Sequence, residues 1–218
     1  MFGNDVKTKI LGRVAILHYA APPIIGGVES TIYHHARLLV KAGIRVEVIA
    51  GRGEPFHPEV TFHRIPWIDS RHEEVLALNQ SLAIGKVPRQ FFQLRDRLIE
   101  ELGKLLSQVD VCIVHNAMTL HKNLALTAAL YHLSEQDNPH FIAWCHDFAW
   151  QDPIYQPELH AGYPWDLLRS PWSGVQYVVV SHYQRACLAD LLGIPETSIQ
   201  VIHPGVDPVE FFRLTPLT

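Results

Sequence analysis

Apolar positions along the chain switch repeatedly between two spacings, and each switch predicts an element. "RVAILHYA", Arg13 to Ala20, is a short aliphatic and β-branched run behind a charged leader, the composition of a strand covered on both faces. The prolines and glycines of Ala21 to Gly27 break it. From there Val28, Ile32, Ala36, Leu39 and Val40 recur at helical spacing, Gly43 supplies a left-handed stop, and "RVEVIAG" (Arg45 to Gly51) restarts as a strand. Strand, helix, strand is a crossover unit and implies parallel pairing.

The alternation continues to the end of the chain. A strand is predicted over Val60 to Ile65, a helical region from Glu73, and an amphipathic helix over Pro88 to Leu106 with the stripe Phe91, Leu94, Leu98, Leu102 and Leu105. Then come a strand in "VDVCIVHNA", a helix from His121 to Leu133, strands in "HFIAWCHD" and "VQYVVVS", a helix from His182 to Leu192, and a strand in "SIQVIHPGVD". This order predicts an α/β fold: a Rossmann-like, doubly wound, mainly parallel sheet with helices on both faces. Residues 1–218 read as one domain, long enough to bury a sizeable core. The long stretch without periodicity, Phe148 to Ser173, is rich in proline and aromatic residues, and loops of that length are usually functional or mobile.

Composition narrows the function classes. With 48% hydrophobic and 18% charged residues the chain is a folded protein rather than a disordered one, and a net charge of -4 argues against nucleic acid as a partner. The apolar runs, such as Val14 to Leu17 or Val178 to Val180, fall far short of the roughly 18 residues of a membrane span. The leader "MFGNDVKTKILGR" has neither an apolar core nor a small-residue cleavage site, so a cytoplasmic location is expected. The 3 cysteines include no CxxC pair, in keeping with a reducing compartment, and Cys112 and Cys145 lie in apolar runs as small hydrophobes.

In open α/β sheets ligands sit beyond the carboxyl ends of the strands. The residues there are Gly26 and Gly27, His115 and Asn116, His146 and Asp147, Ser181, and His203 to Asp207. Gly26 and Gly27 stand where the backbone enters the first helix, so a negative group could approach the exposed N–H groups at the positive helix end. A tight turn also calls for glycine on steric grounds, so the pair alone decides nothing. No G-x-G-x-x-G or GxxxxGK[ST] element is present. Glu29 lies in the first helical turn, where capping is the simpler role.

His34 and His35 have no third ligand spaced to complete a zinc site, and no metal is expected. His146 ends the run "FIAWC" and precedes Asp147. A histidine at that strand end can donate to a sugar hydroxyl, orient a substrate or move a proton, and it can equally tie down the next loop. His115 with Asn116 repeats the theme one strand earlier. Phe148, Trp150, Tyr155, Tyr163, Trp165 and Trp172 could offer flat faces to a sugar, although ordinary packing explains them nearly as well. Arg89, Arg95, Arg97 and Lys104 leave a peripheral membrane contact open, diluted by Asp96, Glu100 and Glu101. Ser181 in "VVVSHYQ" lacks the glycines of a nucleophile elbow, and no HExxH or catalytic Cys-His signature appears.

"GGVE" entering a helix that leads to "LVKAGIRVEVIAG", the "WCHD" strand end, and "VVVSHYQRACLADLLGIPETSIQVIHPGVDPVEFF", in that order, resemble the amino-terminal half of GT-B glycosyltransferases of family GT4. The resemblance runs from about Arg13 to Phe212, with one departure: His203 and Pro204 stand where the family pattern has proline and asparagine. It implies an enzyme of two Rossmann-like domains that transfers sugar with retention of configuration, usually without a metal or other cofactor. Its co-substrate would be a nucleotide-sugar such as a UDP- or GDP-sugar, held mainly by the other domain, and its acceptor a sugar, lipid or small molecule. By position, Gly26 and Gly27 would lie beside the donor diphosphate and His146 would contact the donor sugar. Glu29, His115, Asn116, Asp147 and Trp150 are the acceptor-side candidates, and Ser181, Gly205 and Asp207 would form the interdomain edge.

The family's donor domain, with its basic pair and E-x7-E element, does not follow Thr218, so this chain is expected to need a carboxyl-terminal partner domain and to be inactive alone. The alternatives are a sugar- or partner-binding α/β module without catalysis, and half of another GT-B enzyme such as a nucleotide-sugar epimerase.

Overall fold

The structure, a computed structural model, describes residues 12–212, so most of the leader and the last six residues lie outside it. Its strands are β1 (Arg13–Ala20), β2 (Arg45–Arg52), β3 (Val60–Arg64), β4 (Val111–His115), β5 (His140–Cys145), β6 (Gln176–Val179) and β7 (Ile199–Val201). Between them run α1 (Gly27–Lys41), α2 (Glu73–Leu82), α3 (Arg89–Leu106), α4 (Leu124–Ser134) and α5 (His182–Leu192). The strands form one 7-stranded sheet in the order β3-β2-β1-β4-β5-β6-β7, and every pairing is parallel. The chain steps outward from β1 to β3 and then returns to add β4 on the opposite flank of β1. The sense of winding therefore reverses between β1 and β4, which opens a crevice at their carboxyl ends.

Side chains alternate along each strand, so the sheet has two distinct faces. Ala15, Leu17 and Tyr19 of β1, Cys112 and Val114 of β4, and Phe141, Ala143 and Cys145 of β5 join one large core with α2, α3, α4 and α5. The intervening positions point the other way. Ile16 packs with Ile32 and Ala36 of α1 and with Val46, Val48 and Ala50 of β2, while Val14, Ile113, Trp144 and Val178 form a smaller cluster.

The α3 stripe is Phe91, Leu94, Leu98, Leu102 and Leu106, all buried, whereas Leu105, the position expected from the sequence, is half-buried. Four residues on from Leu102 returns to the same face of the helix, and three residues on falls at its edge. Gly43 ends α1 at φ 80°, the left-handed value that favours glycine.

The loop from Phe148 to Ser173 is held by short 3-10 turns at Ala149–Gln151, Gln156–Glu158 and Trp165–Arg169. Trp165 and Trp172 are buried in the large core, and the Trp172 indole donates to the Leu167 carbonyl at 2.9 Å. Packing is thus the role of these two rings.

Candidate functional site

Register brings three aromatic side chains side by side at the carboxyl edge. Leu17 pairs with Val114, so His18 follows level with His115, and His115 pairs directly with Trp144. All three belong to the alternate set that faces α1. The helix supplies a fourth ring. His35 lies three residues after buried Ile32, and its ring sits 4.4 Å from that of Trp144 and 5.5 Å from that of His115. The residue after β5 adds His146, whose Nε2 lies 3.1 Å from His115 Nδ1. His115 itself is wholly enclosed, with 0% exposure. It therefore has no exposed surface, unlike the strand-end position expected from the sequence, and its Nδ1 meets His146 at the edge.

Asn116 takes a left-handed backbone conformation, φ 58°, which asparagine tolerates better than most residues. That turn aims its side chain back at the next strand end. The amide oxygen accepts from the backbone N–H of His146 at 2.7 Å and of Asp147 at 3.3 Å, while its NH2 donates to Asp147 Oδ2 at 3.0 Å. Asn116 is buried, so the structure makes it a clamp on "HD" rather than an exposed acceptor contact. From the other side, Gln184 of α5 donates to the His146 carbonyl at 2.6 Å and accepts from the Val180 N–H at 3.2 Å. Ser181 caps α5 by accepting from the Gln184 N–H at 3.1 Å. His146 is thus held at both backbone groups and at one ring nitrogen, and its Nδ1 has no protein partner among the described residues.

Burial keeps this group neutral. His18 is pushed down to about 4 by desolvation, partly opposed by its Nδ1 hydrogen bond to the His115 carbonyl, and that bond requires the proton to sit on Nδ1. His35 is also lowered to about 4, first by burial and then by the neighbouring histidines. His115 falls well below the usual histidine value for the same reasons. His146 is lowered by burial while the Asp147 carboxylate pulls it back up. Uncharged imidazoles at neutral pH can donate or accept hydrogen bonds and can take up a proton. Among the described residues no group of three or more His, Cys, Asp or Glu side chains is arranged to hold a metal ion.

The other candidates fall in different places. Gly27 begins α1, and a Cβ built on it would meet nothing within 4 Å. The fold itself therefore does not demand glycine there. Gly26 caps the helix in extended backbone, and a Cβ on it would run into the carboxylate of Glu29, which folds back over the helix entrance. Gly205 and Asp207 are exposed beyond β7, in a segment where His203 Nδ1 lies 3.1 Å from the Val180 carbonyl.

Trp150 does not join the histidines. It packs against the large core on the opposite face of the sheet, its indole donating to the Trp165 carbonyl at 3.2 Å and its ring carrying the Arg169 guanidinium at 4.0 Å. Sequence reasoning passed over His18, Trp144 and Gln184 and gave His35 only a generic role. Alternation from Ile16 and the helical step from Ile32 would have flagged the two histidines.

The family model "Glycosyltransferase Family 4" matches residues 25–210. No curated protein matches the chain. Among solved structures, the fold resembles WaaG, described as a glycosyltransferase involved in lipopolysaccharide biosynthesis, with TM-score 0.56 at 13% identity over 93% of this chain and 48% of that one. A second match, apo UGT2 of Phytolacca americana, has TM-score 0.45 at 13% identity over 94% of this chain and 55% of that one. The chain therefore spans about half the length of the structures it matches. The seven parallel strands, the reversal beside β1 and the family match over most of the sequence agree: the chain belongs to glycosyltransferase family 4.

Proposed function

We propose that this chain is the acceptor-side half of a retaining glycosyltransferase that moves a sugar from a nucleotide-sugar, such as a UDP- or GDP-sugar, to a hydroxyl-bearing acceptor. The donor would be completed by a second domain. The observation that carries the reading is His146: at the carboxyl end of β5 its backbone N–H, carbonyl and Nε2 are all tied, while Nδ1 has no protein partner among the described residues.

In this reading His146 hydrogen-bonds the sugar at the transfer centre, and Asn116, His115 and Gln184 hold it in place. The α1 entrance at Gly26 and Gly27 takes the leaving diphosphate, whose negative charge suits the unpaired N–H groups and the helix dipole. Glu29 must swing away from Gly26 as that anion arrives, since two negative groups cannot share the helix end. Asp147, exposed and aligned by Asn116, is the acceptor-side carboxylate. Ser181, Gly205 and Asp207 lie where the second domain would meet this one.

The test is sugar transfer by the two-domain enzyme carrying His146→Ala. A loss of roughly tenfold or more with an unchanged melting temperature is expected; wild-type turnover removes His146 from the site. Gly27→Val is a sharper probe of the phosphate position. The added side chain has open space, so the fold should survive while transfer fails, and normal rate and donor affinity would refute the anion site. The 218-residue chain alone should transfer no sugar, and robust activity from it would overturn the division of labour.

A further inference from the structure

His146 can carry its single neutral proton on either ring nitrogen, and only the choice of Nδ1 leaves an N–H free of protein partners among the described residues. His115 and His146 meet edge to edge: their ring planes are 22° apart and their centroids 5.4 Å apart, the separation of two imidazoles joined in plane through the 3.1 Å contact of Nδ1 and Nε2. One of these nitrogens must donate and the other accept. If His146 donates from Nε2, neutral His115 carries its own proton on its Nε2. That atom is buried without a partner among the described residues, so the proton would be an orphaned donor.

The neighbouring group of fixed polarity makes this worse. Trp144 offers only an indole N–H, which is also buried without a partner, and its ring lies 5.8 Å from that of His115. Two adjacent buried rings would then each carry an unpaired donor. If His115 instead donates from Nδ1, its Nε2 is left as a bare lone pair, and the Trp144 indole keeps the unpaired N–H of these two rings. His18 adds no competing demand, because its Nδ1 proton is already committed to the His115 carbonyl.

We propose that His115 is a positioning residue that fixes His146 in the tautomer protonated on Nδ1, so that the crevice is met by an N–H donor. Such a donor suits an oxygen acceptor, as a sugar hydroxyl or ring oxygen provides. His115 touches no ligand; it works through the one hydrogen bond that buries His146 Nε2. The functional consequence rests on the reading of His146 as a ligand contact, whereas the tautomer itself does not.

The experiment is long-range proton–nitrogen correlation NMR on the 218-residue chain with labelled histidine, at neutral pH and without ligand. His146→Gln identifies the His146 signals. The expected result is a protonated Nδ1 and a bare Nε2 for His146. A protonated Nε2, or an even mixture, overturns the proposal. His115→Phe should release the constraint and move His146 toward the Nε2-protonated form or a mixture. His115→Asn, whose amide N–H can stand in for Nδ1–H, should retain the wild-type form.

An unchanged tautomer in His115→Phe also overturns the proposal. Should that variant fail to fold, the wild-type spectrum decides by itself. If the tautomer is as expected but His146→Ala leaves transfer intact, the functional reading fails and the tautomer assignment stands.

Discussion

The two faces of the sheet differ in what holds them. On the α3 face, Phe91, Leu94, Leu98 and Leu102 are completely enclosed and pack with α4 and the strands as an aliphatic core. On the α1 face, aliphatic packing covers the middle of the strands, and the carboxyl end is filled by His18, His35, His115 and Trp144. Several ring nitrogens there have no hydrogen-bond partner among the described residues. One face is built for burial. The other buries neutral, polar rings at the carboxyl end of the sheet, where unpaired ring nitrogens give up some of that stability.

The largest expected effect that sharpens this contrast is Phe91→Ala. Removing a fully buried ring from the α3 face should cost about 3–5 kcal/mol of stability in denaturant unfolding, and a loss below about 1 kcal/mol would mean that this face is not the main core.

Next comes acid. His18 and His35 are lowered to about 4 in the folded state, so the unfolded chain binds protons more readily as pH falls through about 6.5. The stability they permit is full above that pH and drains away toward pH 4, by up to about 3 kcal/mol for each ring. His35→Leu should flatten part of that slope, since His35 Nδ1 has no partner to lose. An unchanged pH profile in this variant would place the acid sensitivity elsewhere.

Asn116→Ala removes the clamp on His146 and Asp147 and leaves a left-handed residue without asparagine's tolerance for it. It should cost about 1–3 kcal/mol and loosen His146 in amide exchange. The smallest effect is Gly27→Ala. Its Cβ has open space, so stability should change by less than about 1 kcal/mol, and a larger loss would show that the fold, not a ligand, requires glycine there.

Much of the architecture was legible because hydrophobic spacing reports directly on which face of an element is covered. All seven strands and the Gly43 stop lie where the pattern predicts them. The site was legible only in part. His146 and Asp147 announce themselves by ending an apolar run. His115 reads as the same kind of residue but is enclosed, because the sequence does not say how far a strand end is overlaid by the helix above it. Trp150 looked like a sugar platform, yet an aromatic ring in a long loop is drawn first to the nearest apolar surface, here the large core on the far face.

By itself, the order of spacings determined an α/β sheet with its chemistry at the carboxyl edge, since local periodicity and short crossovers leave few other arrangements. Only the tertiary structure decided that His18, His115 and Trp144 stand on neighbouring strands under His35, and that Asn116 and Gln184 close on His146 from either side. Those contacts join residues about 30 to 100 positions apart. They depend on strand order and register, which the covering of the whole sheet sets and no single segment encodes.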